Sequence, residues 1–282
     1  MAESIDSLIR STGPSFLPRY TRSWGYRSQK EGACSMEYLE MLARLGIGDA
    51  HPGGFAETVK QLRAYPLPPD AKVLEVGCGT GRTACYVAAQ GHRVTGIDIR
   101  PDMIAKAKAR AEKEKLTVEF RRGDATALPF PDESFDVVLV ESVSIFTDTP
   151  QALREYYRVL RGGGRLFDRE MIRRSSMPSE AHDAIARFYG ISKLWEPEDW
   201  TVEARNAGFR PFHIDGPFPF PTGIEQKQLY KDEYQQIDTG SLFDVDIWEV
   251  TNAYDAIMGN SAEHLGYILL VGSKQSAASA AK

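Results

Sequence analysis

Between Ala71 and Met171 short apolar runs alternate with helical stretches, and this rhythm constrains the fold more than any other feature. Val73-Leu74-Glu75-Val76 reads as a strand ending at Gly77, with a helix from Thr80 or Gly81 to Gln90 stopped by Gly91. Val94–Asp98 is a second strand, followed by a helix from Pro101 to about Glu114 with proline in its first turn. Thr117–Arg121 and the apolar Asp136–Glu141 give a third and a fourth strand. A helix over Pro150–Leu160 follows, with Thr149 as N-cap and Gly162 as its stop, and Arg165–Met171 is a fifth strand. Alternation at this spacing predicts an α/β, doubly wound, mostly parallel sheet with helices on both faces.

The flanks are less regular. Residues 1–69 are polar and aromatic, with helical spacing over Ser35–Leu45 and Phe55–Tyr65, and Pro66, Pro68 and Pro69 break the pattern. After the fifth strand come a partly helical stretch (Arg173–Trp195), a helix over Glu198–Asn206 closing at Gly208, and a strand over Phe209–Asp215. Gly216–Glu263 is long and aromatic, Tyr267–Val271 fits a buried strand, and 276–282 reads as a disordered tail.

Composition narrows the function. Of 282 residues, 34 are Lys or Arg and 39 Asp or Glu, and the net charge of −5 disfavours a generic nucleic-acid binder. No apolar run approaches the roughly 20 residues of a membrane span. The first ten residues lack the layout of a signal peptide. Cys34, Cys78 and Cys85 have no metal-like spacing, nor do the histidines, so a reduced cytoplasmic setting without a metal site is expected.

The chemistry concentrates in Glu75-Val76-Gly77-Cys78-Gly79-Thr80-Gly81, between a strand and a helix. Glycines there let the backbone approach a ligand and aim helix N-terminal amides at it. Asp98, at the end of the next strand, stands where a carboxylate accepts bonds from ribose hydroxyls. A dinucleotide fingerprint would need a third glycine at position 82, where this chain has Arg82. Glu75 suits a cationic head better than a pyrophosphate, which it would repel.

These residues resemble the class I S-adenosylmethionine-dependent methyltransferases. Val73–Gly81 is similar to that family's first motif and Asp98 to its ribose-binding acid. Gly123-Asp124-Ala125 with Leu128-Pro129-Phe130 resembles its adenine loop, Phe135–Val140 its fourth strand, and Leu160–Leu166 the turn into the fifth, with Gly162 where a proline is usual. The resemblance implies a seven-stranded sheet whose last strand, Tyr267–Ser273, runs antiparallel. It implies S-adenosylmethionine as cofactor, released as S-adenosylhomocysteine, and contacts from Glu75, Gly77, Cys78, Gly79, Asp98, Ile99, Met103, Gly123, Asp124, Ala125 and Glu141. Ile99 and Met103 fit either an adenine contact or plain core.

Two residues are candidates for catalysis. Glu141 ends the fourth strand at the ligand edge, as a functional acid or a solvated one. His51, in His51-Pro52-Gly53-Gly54, is a candidate base unless that segment is only a helix-entry turn. Tyr20, Trp24 and Tyr26 are lid or substrate candidates, with plain aromatic packing as the alternative. The expected organisation is an N-terminal helical lid segment (1–69) and a methyltransferase domain (70–275) with cap insertions at about 173–197 and 216–263. A small-molecule acceptor is expected, as monomer or homodimer, against an RNA or protein methyltransferase and a non-catalytic binding module.

Overall fold

The computed structural model describes residues 37–174, 176–220 and 230–276. Among them, strands β1 (Lys72–Val76), β2 (Arg93–Asp98), β3 (Glu119–Arg122), β4 (Phe135–Glu141), β5 (Leu160–Arg173), β6 (Phe212–Pro219) and β7 (Leu265–Ser273) form one seven-stranded sheet. Its order is β3-β2-β1-β4-β5-β7-β6. The first five strands pair in parallel, and β7 runs antiparallel to both β5 and β6, as expected.

Strand parity decides which side chains meet which helices. Val73, Val137, Leu139 and Phe167 face one side, where Ala84, Cys85 and Val87 of α3 (Arg82–Ala88) and Ala107 and Ala111 of α4 (Pro101–Glu114) cover them. Leu74, Val138, Val140 and Leu166 face the other, against Leu153 and Tyr156 of α5 (Thr149–Val159) and Ala204 of α7 (Pro197–Ala207). Burial on both faces explains why these strands read as apolar runs.

Both boundaries of α5 differ from expectation. The N-cap of α5 is Asp148, whose carboxylate accepts the Gln151 N–H at 3.0 Å, rather than Thr149. Thr149 instead donates its hydroxyl to the Ser144 carbonyl at 2.8 Å. The helix also ends at Val159, before Gly162, because β5 begins at once with Leu160 opposite Phe135.

Outside the sheet, α1 (Tyr38–Leu45), α2 (Gly54–Ala64), α6 (Ser179–Tyr189) and α8 (Val245–Ser261) complete the α-helices among the described residues. Met41, Leu42 and Ala43 of α1 pack with Ile247 and Val250 of α8, so the N-terminal helix and the second insertion share one small core. Tyr20, Trp24 and Tyr26 lie outside the described residues.

Candidate active site

The carboxyl ends of β1, β2 and β4 converge on the glycine turn. Gly77 (φ +69) and Gly79 (φ +51) take left-handed backbone that an L side chain rarely adopts. A Cβ on Gly77 would lie 2.2 Å from Val143 Cγ2, whereas one on Gly79 would meet nothing within 4 Å. Gly77 is therefore fixed by packing, and Gly79 borders open space. The Cys78 N–H donates to the Ile97 carbonyl at 2.8 Å, its thiol is buried, and burial raises that thiol's pKa well above normal.

Asp98 sits beside this turn. Its carboxylate accepts N–H bonds from Gly79 at 3.0 Å and Arg100 at 2.9 Å, and burial raises its pKa. Its own carbonyl accepts from Gly123 N at 3.0 Å, which ties Gly123-Asp124-Ala125 to the same edge. Asp124 is exposed and accepts from the Thr126 N–H and hydroxyl at 2.8 and 2.7 Å, while Ala125 is buried. Ile99 is 57% exposed at this edge, and Met103 is buried among Met41, Leu42, Ile247 and Val250.

Glu141 is not a solvated acid. Parity turns it toward α2 and α3, and parallel register puts Arg169 of β5 beside it. Its carboxylate accepts the hydroxyls of Thr58 at 2.6 Å and Thr83 at 2.9 Å, and pairs with Arg169 at 3.2 Å. Arg169 and the two hydroxyls hold its pKa below normal despite burial. Arg169 also donates to Gln61 Oε1 at 2.6 Å and the Glu57 carbonyl at 2.9 Å. His51 Nε2 is 3.5 Å from Glu141 and Nδ1 is 3.4 Å from Arg169, and burial lowers its pKa. Both His51 nitrogens thus address protein groups, and Gly53 caps α2 directly behind. Glu75, on the same face, is buried with Oε2 unpartnered among the described residues, and burial raises its pKa well above the carboxylate range.

The other face of β5 carries a second charged cluster. Glu170 Oε1 accepts the N–H groups of Val143 at 2.9 Å and Ser144 at 2.8 Å, and Asp168 accepts the Ser144 hydroxyl at 2.8 Å. Both acids are fully buried, and burial raises both pKa values, that of Asp168 to about 7. They hold the loop after β4 in place. Neither was singled out by sequence, although charged residues inside an apolar, doubly covered strand were a visible signal.

Beside this edge lies a cavity of ≈ 300 Å³, bounded by α1, the His51–Gly54 turn, the loop after β4 (Ser142, Ile145, Phe146), Tyr189 of α6 and Tyr254 of α8. The half-buried Asp98 carboxylate, the open face at Gly79 and the unpartnered Glu75 oxygen fit an adenosyl ligand with a cationic methionine end.

Comparison with known proteins agrees. Residues 74–168 match the family model for a methyltransferase domain. The uncharacterised methyltransferase YodH of Bacillus subtilis is 31% identical over 237 residues, covering 84% of this chain and 99% of that protein. The chain belongs to the class I S-adenosylmethionine-dependent methyltransferases. Its cofactor is therefore S-adenosylmethionine. Among other relatives of this methyltransferase, phosphoethanolamine N-methyltransferase 1 of Zea mays is 30% identical, over 77% of this chain and 44% of that enzyme. The chain thus spans less than half of the maize enzyme's length. The solved structure of Haemonchus contortus phosphoethanolamine N-methyltransferase 2 with S-adenosyl-L-methionine superposes with a TM-score of 0.68 at 20% identity, over 84% of this chain and 57% of that one. The relatives with a named acceptor are small-molecule methyltransferases, and no described helix is long and apolar enough to cross a membrane.

Proposed function

We propose that this methyltransferase acts on a small organic molecule bound in the cavity beside His51, with the cofactor held by Gly77–Gly79, Asp98 and Gly123–Ala125. One observation carries this reading: the loop that backs Gly77 through Val143 also lines the cavity through Ser142, Ile145 and Phe146. The glycine turn and the cavity therefore share a wall.

When bound, S-adenosylmethionine supplies a methyl group on a positively charged sulfur, open to in-line attack. The chain's own residues position and enclose. Helices α1, α6 and α8 form the cap implied by the N-terminal segment and the two insertions, and such caps exclude water. Glu141 and Arg169 act as anchors, fixing His51 and α2 against the sheet rather than touching the acceptor. Because both nitrogens of His51 face protein groups, its role is to shape the cavity wall. Orientation alone supplies up to roughly 7–11 kcal/mol in favourable reactions of this kind. A cytoplasmic setting accords with the free, buried Cys78 and Cys85.

The test is transfer of labelled methyl from S-adenosylmethionine into a cell extract. Label in compounds below about 1 kDa is expected. Label only in RNA or protein, or none transferred, contradicts the reading.

A further inference from the structure

The wall chemistry of the cavity restricts its occupant further, given the acceptor site proposed above. Among the described lining residues there are two carboxylates, Asp49 and Asp255, and no lysine or arginine. Two guanidinium groups bonded to or behind this wall are already paired. Arg82 donates to Asp49 Oδ2 and to the Tyr230 carbonyl, each at 2.6 Å, and stacks 4.2 Å from the Phe55 ring centre. Arg169 is 2% exposed and is bound by Glu141, Gln61 and the Glu57 carbonyl. His51, the remaining basic side chain in the wall, is kept neutral by burial.

Aromatic faces make up much of the rest. Tyr38 stacks on Tyr254 with ring centres 6.1 Å apart and meets Tyr189 edge-on at 4.8 Å. Rings of this kind attract cations through their negative faces and offer apolar area. A phosphate placed here would lose its hydration, meet the Asp255 carboxylate and find no lysine or arginine among the described lining residues.

We infer that the acceptor is an uncharged or cationic molecule with an apolar body, and that phosphorylated acceptors are excluded. This separates the chain from relatives whose names carry a phosphorylated acceptor, so the fold is shared and the acceptor chemistry is not.

The experiment is calorimetry on the full chain loaded with S-adenosylhomocysteine, using three probes with one aromatic body: 2-phenylethylamine, 2-phenylethanol and phenyl phosphate. Binding of S-adenosylhomocysteine itself is measured first, and its failure would count against the methyltransferase reading rather than against this one. The expected result is that the amine and the alcohol each bind at least tenfold more tightly than the phosphate. In Asp255→Lys, on the exposed side of α8, the preference for the amine over the phosphate should fall at least tenfold. Phenyl phosphate binding as tightly as either other probe, or no binding by any of the three, overturns the inference.

Discussion

Gly77 and Val143 are packed so closely that the glycine cannot carry a side chain: a Cβ there would stand 2.2 Å from Val143 Cγ2. The contact joins the turn after β1 to the loop after β4. Gly77→Ala adds this clash to a positive-φ cost of about 1–2 kcal/mol, so affinity for S-adenosylhomocysteine should fall by roughly tenfold or more. Calorimetry checks this, and Val143→Ala in the same chain should restore part of the loss.

Asp98→Ala removes the acceptor of the Gly79 and Arg100 N–H groups as well as the proposed ribose contact. Hydrogen bonds to a charged group are worth about 1.5–3 kcal/mol each. Affinity for S-adenosylhomocysteine should drop by on the order of a hundredfold, and an unchanged dissociation constant would remove Asp98 from the ribose.

Arg169 is the cation that compensates Glu141. Arg169→Met leaves that carboxylate buried without its guanidinium partner, at a cost of about 3–5 kcal/mol. The melting temperature should fall by on the order of 10 °C. Adding Glu141→Gln should recover much of it, because the uncompensated charge is then gone.

His51 has its pKa lowered by burial, so it is neutral at and above its ordinary titration range near pH 6.5. As a wall residue it should leave no inflection in kcat between pH 6 and 8. His51→Asn should lower turnover without creating or abolishing a pH limb in that range. A limb near pH 6.5 that disappears in the variant would identify His51 as a proton acceptor instead.

Asp168 and Glu170 give the opposite kind of titration. Their folded pKa values lie above the ordinary ones, Asp168 at about 7, so the folded state binds more protons. Their contribution to stability is complete below about pH 4 and is lost as pH rises through the raised folded values, about 7 for Asp168. From pH 5 to 8 the wild type should therefore lose stability relative to Glu170→Gln, by up to about 1.4 kcal/mol per pH unit. Urea melts at the two pH values measure the difference.

The sheet and the glycine turn were legible because their signals are local. Gly77, Gly79 and Asp98 are set by one turn and one strand end, and the apolar runs report burial on both faces. Helix α8 was not legible: Val245 and Trp248 are 67% and 53% exposed while Ile247 and Val250 are buried, so no clean apolar stripe marks it. Glu141 was placed correctly on its strand, but its buried, ion-paired state depends on Arg169, 28 residues later, through β4–β5 register. Met103 fits both readings in sequence, and its packing against α1 and α8 depends on residues far from it in the chain.

In the proposed site the cofactor turn and the cavity meet across the loop after β4. A crystal structure with S-adenosylhomocysteine bound tests it most directly. The ribose is expected on Asp98, with the sulfur opening into the cavity between Ser142 and the His51–Gly54 turn. A ligand whose sulfur is walled off from that cavity would contradict it.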